Sequence, residues 1–164
     1  MRISREQRAR LLRHPAGWVA TGFGSGLSPF APGTAGSAAA LVPWLALRET
    51  PWPVYALALV AAFGIGVWAC NWVVRELRVD DPGIAVWDEF VGLWIALTPL
   101  LRTPAHVWHV AAGFILFRIF DIAKPWPVSW ADRRVGGGFG VMLDDAFAGI
   151  YAAIALVALT YFVQ

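Results

Sequence analysis

Long apolar runs, separated by short polar segments, dominate this sequence. Five runs stand out, at about residues 36–47, 54–74, 85–101, 105–120 and 146–163. Polar and apolar positions do not alternate within them, so each run predicts a helix rather than a strand. A helix needs roughly 20 apolar residues to cross a bilayer core, and the second and fifth runs are long enough. The first run is short and contains Pro43, so we expect it to begin earlier, to tilt or to be re-entrant.

The polar segments between the runs fall into two groups. The segments 48–53 and 102–104 are short and carry only three charges, and the shorter one predicts a tight hairpin between the third and fourth runs. The segments 1–35, 75–84 and 121–145 are longer and far more polar. If the arginine-rich N-terminus is cytosolic, by the positive-inside rule, all three longer segments lie on the cytosolic side. The pattern therefore predicts an all-α, polytopic integral membrane protein of about five apolar helices, with its C-terminus outside and a site on its cytosolic face.

Composition supports this class. Hydrophobic residues make up 59% of the 164 residues and charged residues only 15%, against about 25% in soluble domains. The length suits a single membrane domain spanning 1–164. Within it, residues 1–15 form a basic cytosolic segment that we expect to touch anionic headgroups; no apolar core follows directly, which argues against a cleaved signal peptide. The net charge of +2 indicates no nucleic-acid partner, and the single Cys70 excludes an intrachain disulfide and a cysteine-rich zinc site.

A segment rich in glycine and proline, TGFGSGLSPFAPGTAGS, occupies residues 21–37. Such a composition predicts irregular backbone, in which amide groups can approach a ligand closely. Thr34 or Ser37 could cap the following helix, whose N-terminus would favour phosphate. Ser28, Gly33, Thr34 and Ser37 are therefore candidate phosphate-binding residues. The alternative is a purely structural turn with a hydroxyl cap.

Acidic residues cluster at the start of the third run. Asp80 and Asp81 precede a Pro-Gly turn and are expected to be solvated. Asp88 and Glu89 lie a turn into the apolar run, where a carboxylate is costly. Both could border one cavity, although compensation of the helix dipole is the structural alternative.

The strongest polar signal is FRIFDIAKPWP at 117–127, followed by GGGFGVMLDD at 136–145. Arg118 and Asp121 are three residues apart and share a helix face, and Pro125 is expected to end that helix soon after Lys124. The glycines predict a flexible segment, after which Asp144 and Asp145 open the last helix. A structural ion pair is the alternative for Arg118 and Asp121, but charges of both signs beside a bilayer favour a functional site.

These residue types indicate a magnesium and phosphate site. Carboxylates are hard oxygen donors, and without a cluster of histidines or cysteines they favour Mg²⁺ over zinc. The predicted metal ligands are drawn from Asp88, Glu89, Asp121, Asp144 and Asp145. Arg118 and Lys124 suit the phosphate itself. A metal, cations and carboxylates at a bilayer surface imply a phosphorylated lipid headgroup as substrate.

At these residues the chain resembles the phosphatidylglycerophosphatase A family. The resemblance rests on TGFGSGLSPFAPGTAGS, WDEFVG, FRIFDIAKPWP and GGGFGVMLDDAFAG, which cover about a third of the chain in order. It implies Mg²⁺-dependent hydrolysis of phosphatidylglycerophosphate to phosphatidylglycerol and phosphate, at the cytosolic face of a bacterial inner membrane. A small transporter that uses buried carboxylates is the alternative from a different class.

For the phosphatase, the candidate catalytic residues are Glu89, Asp121, Lys124 and Asp145. Arg118 and Lys124 would neutralise the charge of the phosphate in the transition state. The nucleophile is either an activated water, which we favour, or an aspartate that becomes phosphorylated. Asp121, paired with Arg118, would be a poor base, so Glu89 or one of Asp144 and Asp145 is the better candidate.

Overall fold

The computed structural model describes residues 3–103 and 106–163, and all regular secondary structure within those ranges is helical. Two short 3-10 helices, Ser25–Leu27 and Thr98–Leu100, interrupt the turns. The α-helices of the described residues are α1 (Arg5–Arg13), α2 (Pro15–Ala20), α3 (Pro32–Leu47), α4 (Trp52–Leu77), α5 (Trp87–Ala96), α6 (Val107–Ala123), α7 (Val128–Arg134) and α8 (Gly137–Val163). The prediction of an all-helical fold is confirmed.

The first, second and fifth apolar runs lie in α3, α4 and α8, whereas the third run is only partly α-helical. α3 begins at Pro32, earlier than the first run, as expected, but the irregular backbone predicted for the whole segment 21–37 is wrong for residues 32–37, which are helical. α8 begins at Gly137, so Asp144 and Asp145 lie about two turns inside it instead of opening it. α5 ends at Ala96 and a 3-10 turn follows, so its connection to α6 is longer than the predicted tight hairpin. Residues 104 and 105, which belong to that connection and to the start of the fourth run, lie outside the described residues.

Local sequence and tertiary contact explain the two early helix starts. Pro32 occupies the first turn of α3, where its fixed φ favours a helix and its missing N–H costs nothing. The glycines at the start of α8 have low helix propensity, but they allow close packing on α4. The Gly138 amide donates to Asn71 Oδ1 at 2.7 Å, and a Cβ on Gly138 would overlap the backbone of α4. Packing against α4 therefore stabilises a helix that composition disfavours.

The short helix α5 forms the centre of the bundle, with α3, α4, α6 and α8 packed around it. Nine of its ten residues are buried. Buried aromatic side chains tie it to its neighbours through their polar atoms: Trp87 Nε1 donates to the Ala62 carbonyl at 2.9 Å, and Trp94 Nε1 donates to the Ala40 carbonyl at 2.9 Å. The depth and orientation of the first turn of α5, which carries the two acidic residues, are therefore determined by packing.

The polar segments separate to the two ends of the bundle, as the sequence predicted. At one end the Arg102 amide donates to the Arg48 carbonyl at 3.0 Å and the Arg48 guanidinium donates to the Thr103 carbonyl at 2.7 Å, so the two short connections meet. The longer polar segments meet at the other end, where α3, α5 and α8 begin. By length and composition, α4 and the Gly137–Phe162 part of α8 could cross a membrane.

Candidate active site

Charged side chains surround a cavity of about 220 Å³ at the polar end of the bundle. The cavity lies where α3 and α5 begin and where α6 ends, beside Asp144 and Asp145 about two turns into α8. Its polar and glycine lining consists of Gly33, Asp81, Gly83, Asp88, Glu89, Arg118, Asp121, Lys124, Asp144 and Asp145. The fold thus brings the predicted carboxylates and both predicted cations, from three separate stretches of sequence, around one space.

Two glycines bring the acidic turns of α5 and α8 together. A Cβ on Gly92 would lie 2.8 Å from the Asp145 carbonyl oxygen, and one on Gly149 would overlap the Gly92 carbonyl. Only hydrogen at these positions lets the two backbones approach so closely. Asp88 precedes Gly92 by four residues and Asp145 precedes Gly149 by four, so each carboxylate stands one turn from the helix crossing and borders the same cavity.

Arg118 is the central cation of the cavity. Its Nη1 forms ion pairs with Glu89 Oε2 and with Asp121 Oδ2, the latter at 2.9 Å. Ser37 Oγ donates to the same Glu89 oxygen at 2.7 Å. The predicted Arg118–Asp121 contact along α6 is therefore present. In addition, Glu89 is held on two sides by side chains from α3 and α6.

Gly33 allows α3 to approach this pair. A Cβ on Gly33 would overlap Glu89 Oε1 and would lie 3.1 Å from Arg118 Nη2. Gly33 lies in the first turn of α3, whose N-cap residue, Ala31, offers no side-chain cap. The N-terminus of α3 is thus open toward the Arg118–Glu89 pair.

Lys124 lies at the rim of the cavity, immediately after α6. It ends that helix in the left-handed conformation, with a φ of 44°. Its Nζ forms ion pairs with Asp144 Oδ2 at 2.9 Å and with Asp132. Asp132 belongs to α7, a short helix that the sequence pattern did not predict. Lys124 therefore joins three elements, α6, α7 and α8.

Two groups in the connecting segments have perturbed pKa values. Burial lowers the pKa of Lys124, but its bonds to Asp132 and Asp144 outweigh this effect and raise the pKa above its usual value. The lysine is therefore protonated at neutral pH. Partial removal from water raises the pKa of Asp81; Lys124 lowers it, while the charges of Asp132 and Asp121 raise it further.

Two polar atoms in the cavity wall have no hydrogen-bond partner among the described residues. They are Asp145 Oδ2 and Arg118 Nε. Asp145 is only 3% exposed, so its oxygen is withheld from water, and a buried carboxylate oxygen without a donor is costly. Both atoms could take up a ligand. Within the described residues, however, no group of three or more acidic, histidine or cysteine side chains already surrounds one point as metal ligands.

Three other predicted phosphate-binding residues do not line the charged cavity, namely Ser28, Thr34 and Ser37. Ser37 contacts the Arg118–Glu89 pair, but Ser28 lines a separate cavity of about 630 Å³ and its Oγ donates to the Phe30 carbonyl. Thr34 is exposed and does not line the charged cavity. Neither Thr34 nor Ser37 caps α3.

Sequence reasoning missed two acidic residues here. Asp81 is an exposed turn residue, as expected, but it also lines the cavity, and its place beside the start of the acidic helix was the available signal. Asp132 contacts Lys124 across a turn that contains two prolines. No periodicity spans such a turn, so nothing in the local pattern pointed to Asp132.

Comparison with known proteins identifies the family of this chain. A family model described as phosphatidylglycerophosphatase A matches residues 18–160. The chain is 47% identical to phosphatidylglycerophosphatase A of Escherichia coli, over 87% of this chain and 81% of that protein. It is 39% identical to the Haemophilus influenzae protein of the same name, over 92% and 91%.

A third relative carries a different name. It is a Bacteroides thetaiotaomicron protein provisionally named a phosphatidylinositol-3-phosphatase, 43% identical over 84% of this chain and 89% of that protein. No solved structure matches. The family match spans all of the helices that surround the charged cavity, and the chain belongs to the phosphatidylglycerophosphatase A family.

Proposed function

We propose that this protein hydrolyses phosphatidylglycerophosphate to phosphatidylglycerol and phosphate, in the charged cavity at the polar end of its bundle. Family membership makes it a lipid phosphatase, a phosphoric monoester hydrolase of phosphatidylglycerol synthesis. The observation that carries the assignment to this cavity is the meeting of Arg118 and Lys124 with buried carboxylates in one space. Cationic donors of this kind bind phosphate oxygens.

The charge balance of the cavity supports a role for Mg²⁺. Six carboxylates and only two cationic side chains line the space, so a phosphate dianion would be repelled without an additional cation. The residues that would hold the metal are drawn from Asp88, Glu89, Asp121, Asp144 and Asp145. Mg²⁺ usually takes one or two carboxylates together with phosphate oxygens and water, so a preformed cluster of ligands is not required.

A bound Mg²⁺ would supply electrostatic stabilisation of the phosphate. Arg118 and Lys124 then share the remaining charge as it shifts toward the leaving oxygen. Arg118 has a free Nε, and Lys124 stands at the rim. The start of α3 at Gly33 lines the same cavity, and a helix N-terminus favours a phosphate oxygen.

The base for an attacking water is best sought on α8. Glu89 and Asp121 both form ion pairs with Arg118, so each already has an oxygen engaged by the guanidinium. Asp145 Oδ2 has no hydrogen-bond partner among the described residues. We therefore place Asp145 as the leading base candidate for direct attack by water. A single turnover in ¹⁸O-water tests this route, since label must reach the first phosphate released; an unlabelled first phosphate would instead show an aspartyl-phosphate.

The cavity is proposed to face the cytosol of a bacterial inner membrane, with the protein crossing the membrane several times. Support comes from the separation of polar segments to one end and from the two long apolar helices, α4 and α8. The arginines of α1 lie at the same end, because Arg10 pairs with Glu76 at 3.4 Å, and positive charge favours the cytosolic side. Carboxylates gathered at one end are unlike a transporter, whose sites lie near the bilayer midplane.

Phosphate release from the detergent-solubilised protein tests the assignment. With Mg²⁺ present, phosphatidylglycerophosphate should be hydrolysed, and phosphatidylinositol 3-phosphate should be a markedly poorer substrate. The matched control is Asp145→Asn, which keeps the shape of the side chain. No phosphate release from either lipid, or ion flux in liposomes without hydrolysis, would overturn the proposal.

A further inference from the structure

Lys124 forms ion pairs with two carboxylates that lie on opposite sides of it. Asp144 lines the charged cavity, whereas Asp132 lies on the outer side of the lysine and does not line that cavity. The side chains of Lys124 and Asp132 are about equally accessible, at 29% and 31%. The ammonium group is thus clamped between an inner and an outer carboxylate at the rim.

Asp132 is placed by a packed helix rather than by a free loop. Val128 and Ala131, on the same short helix α7, are fully buried, and α7 packs against α8. The turn that precedes α7 is bound to α8 as well, because the Tyr151 hydroxyl donates to the Trp126 carbonyl at 2.8 Å. These contacts determine where the outer carboxylate stands.

A second cavity, of about 330 Å³, adjoins the charged cavity and is distinct from the one at Ser28. Asp81 and Asp144 line both this space and the charged cavity, while Asp132 lines only the second. Lys124 lines only the charged cavity. The Lys124–Asp132 pair therefore stands at the boundary between the two spaces.

We propose that Asp132 is a positioning residue, which holds the Lys124 ammonium at the rim of the charged cavity where it meets the substrate phosphate. The inference rests on the proposed phosphatase function. A lysine side chain is flexible and would otherwise be drawn toward the deeper carboxylates. An ammonium group has three donors; with two of them directed to Asp132 and Asp144, one remains for a phosphate oxygen.

A double-mutant cycle tests whether Asp132 acts through Lys124. The variants are Asp132→Asn, Lys124→Ala and the double substitution, with kcat and KM measured on phosphatidylglycerophosphate in detergent. Asp132→Asn should lower kcat/KM by about tenfold or more, as expected for the loss of a charge-assisted hydrogen bond. In the Lys124→Ala background the same change should have no further effect. Asp132→Glu, which keeps the charge, should retain more activity than Asp132→Asn.

Asp80→Asn is the matched control. Asp80 lines the same second cavity but takes part in none of the ion pairs among the described residues, so its substitution should leave kcat/KM unchanged. Thermal unfolding of each variant separates loss of activity from loss of fold. Equal losses from Asp132→Asn in both backgrounds, or activity unchanged or raised by it, would overturn the positioning role. An inactive wild-type protein would instead contradict the phosphatase function itself.

Discussion

The substitution Gly33→Ala should disable the cavity while leaving the fold intact. The added methyl group would overlap Glu89 Oε1 and approach Arg118 Nη2 to 3.1 Å. The Glu89 carboxylate ends a flexible side chain, so it can move aside, but that side chain is only 10% exposed and is bound by Arg118 and Ser37. Moving it costs at least one charge-assisted hydrogen bond.

The size of the effect follows from that bond. A hydrogen bond to a charged group contributes about 1.5–3 kcal/mol, and about 1.4 kcal/mol corresponds to a tenfold change in rate. We therefore expect kcat/KM for phosphate release to fall about 10- to 100-fold. Thermal unfolding in detergent should change little, because alanine favours a helix over glycine by up to about 1 kcal/mol, which offsets part of the local disturbance.

Gly64→Ala provides the matched control for this prediction. Gly64 also lies in a helix, α4, but a Cβ there would meet nothing within 4 Å. Its substitution should leave kcat/KM at the wild-type value. Wild-type activity in Gly33→Ala would refute the reasoning, because it would show that the observed contact between α3 and the Arg118–Glu89 pair does not matter for the reaction.

Three further predictions concern the base, the metal and the topology. Asp145→Asn should lower phosphate release by about 100-fold or more without loss of thermal stability, because its buried Oδ2 has no hydrogen-bond donor to lose. Asp80→Asn should stay within about twofold, and similar mild losses in both variants would contradict the assignment. Removal of divalent metal with EDTA should abolish activity and added Mg²⁺ should restore it, whereas full activity in EDTA would exclude the metal. In intact cells, a cysteine that replaces Thr50 should react with an impermeant thiol reagent, and a cysteine that replaces Arg133 should not. The native Cys70 is buried and should give a low background. The reverse labelling pattern would contradict a cytosolic site.

Some residues of the candidate site could be identified from the sequence and others could not. The acidic pairs at Asp88 and Asp144, and the cations Arg118 and Lys124, were identified because charge inside apolar sequence is costly and easily recognised. Asp132 carried no such signal, since it lies in a polar segment where a charge is ordinary. Its contact with Lys124 depends on the path of the turn and on the docking of α7.

The sequence by itself determined the helical class, the division of polar segments into two groups and the charged residues that stand beside apolar runs. These properties depend on composition and on spacing along the chain, which are local. Only the tertiary structure decided that α8 begins at Gly137, that Glu89 pairs with Arg118 and that Asp132 pairs with Lys124. It also decided that Asp81, but not Thr34 or Ser28, lines the charged cavity. Those outcomes depend on how helices far apart in sequence pack, and packing is governed by close contacts, such as that between Gly92 and the Asp145 carbonyl, that no single segment encodes.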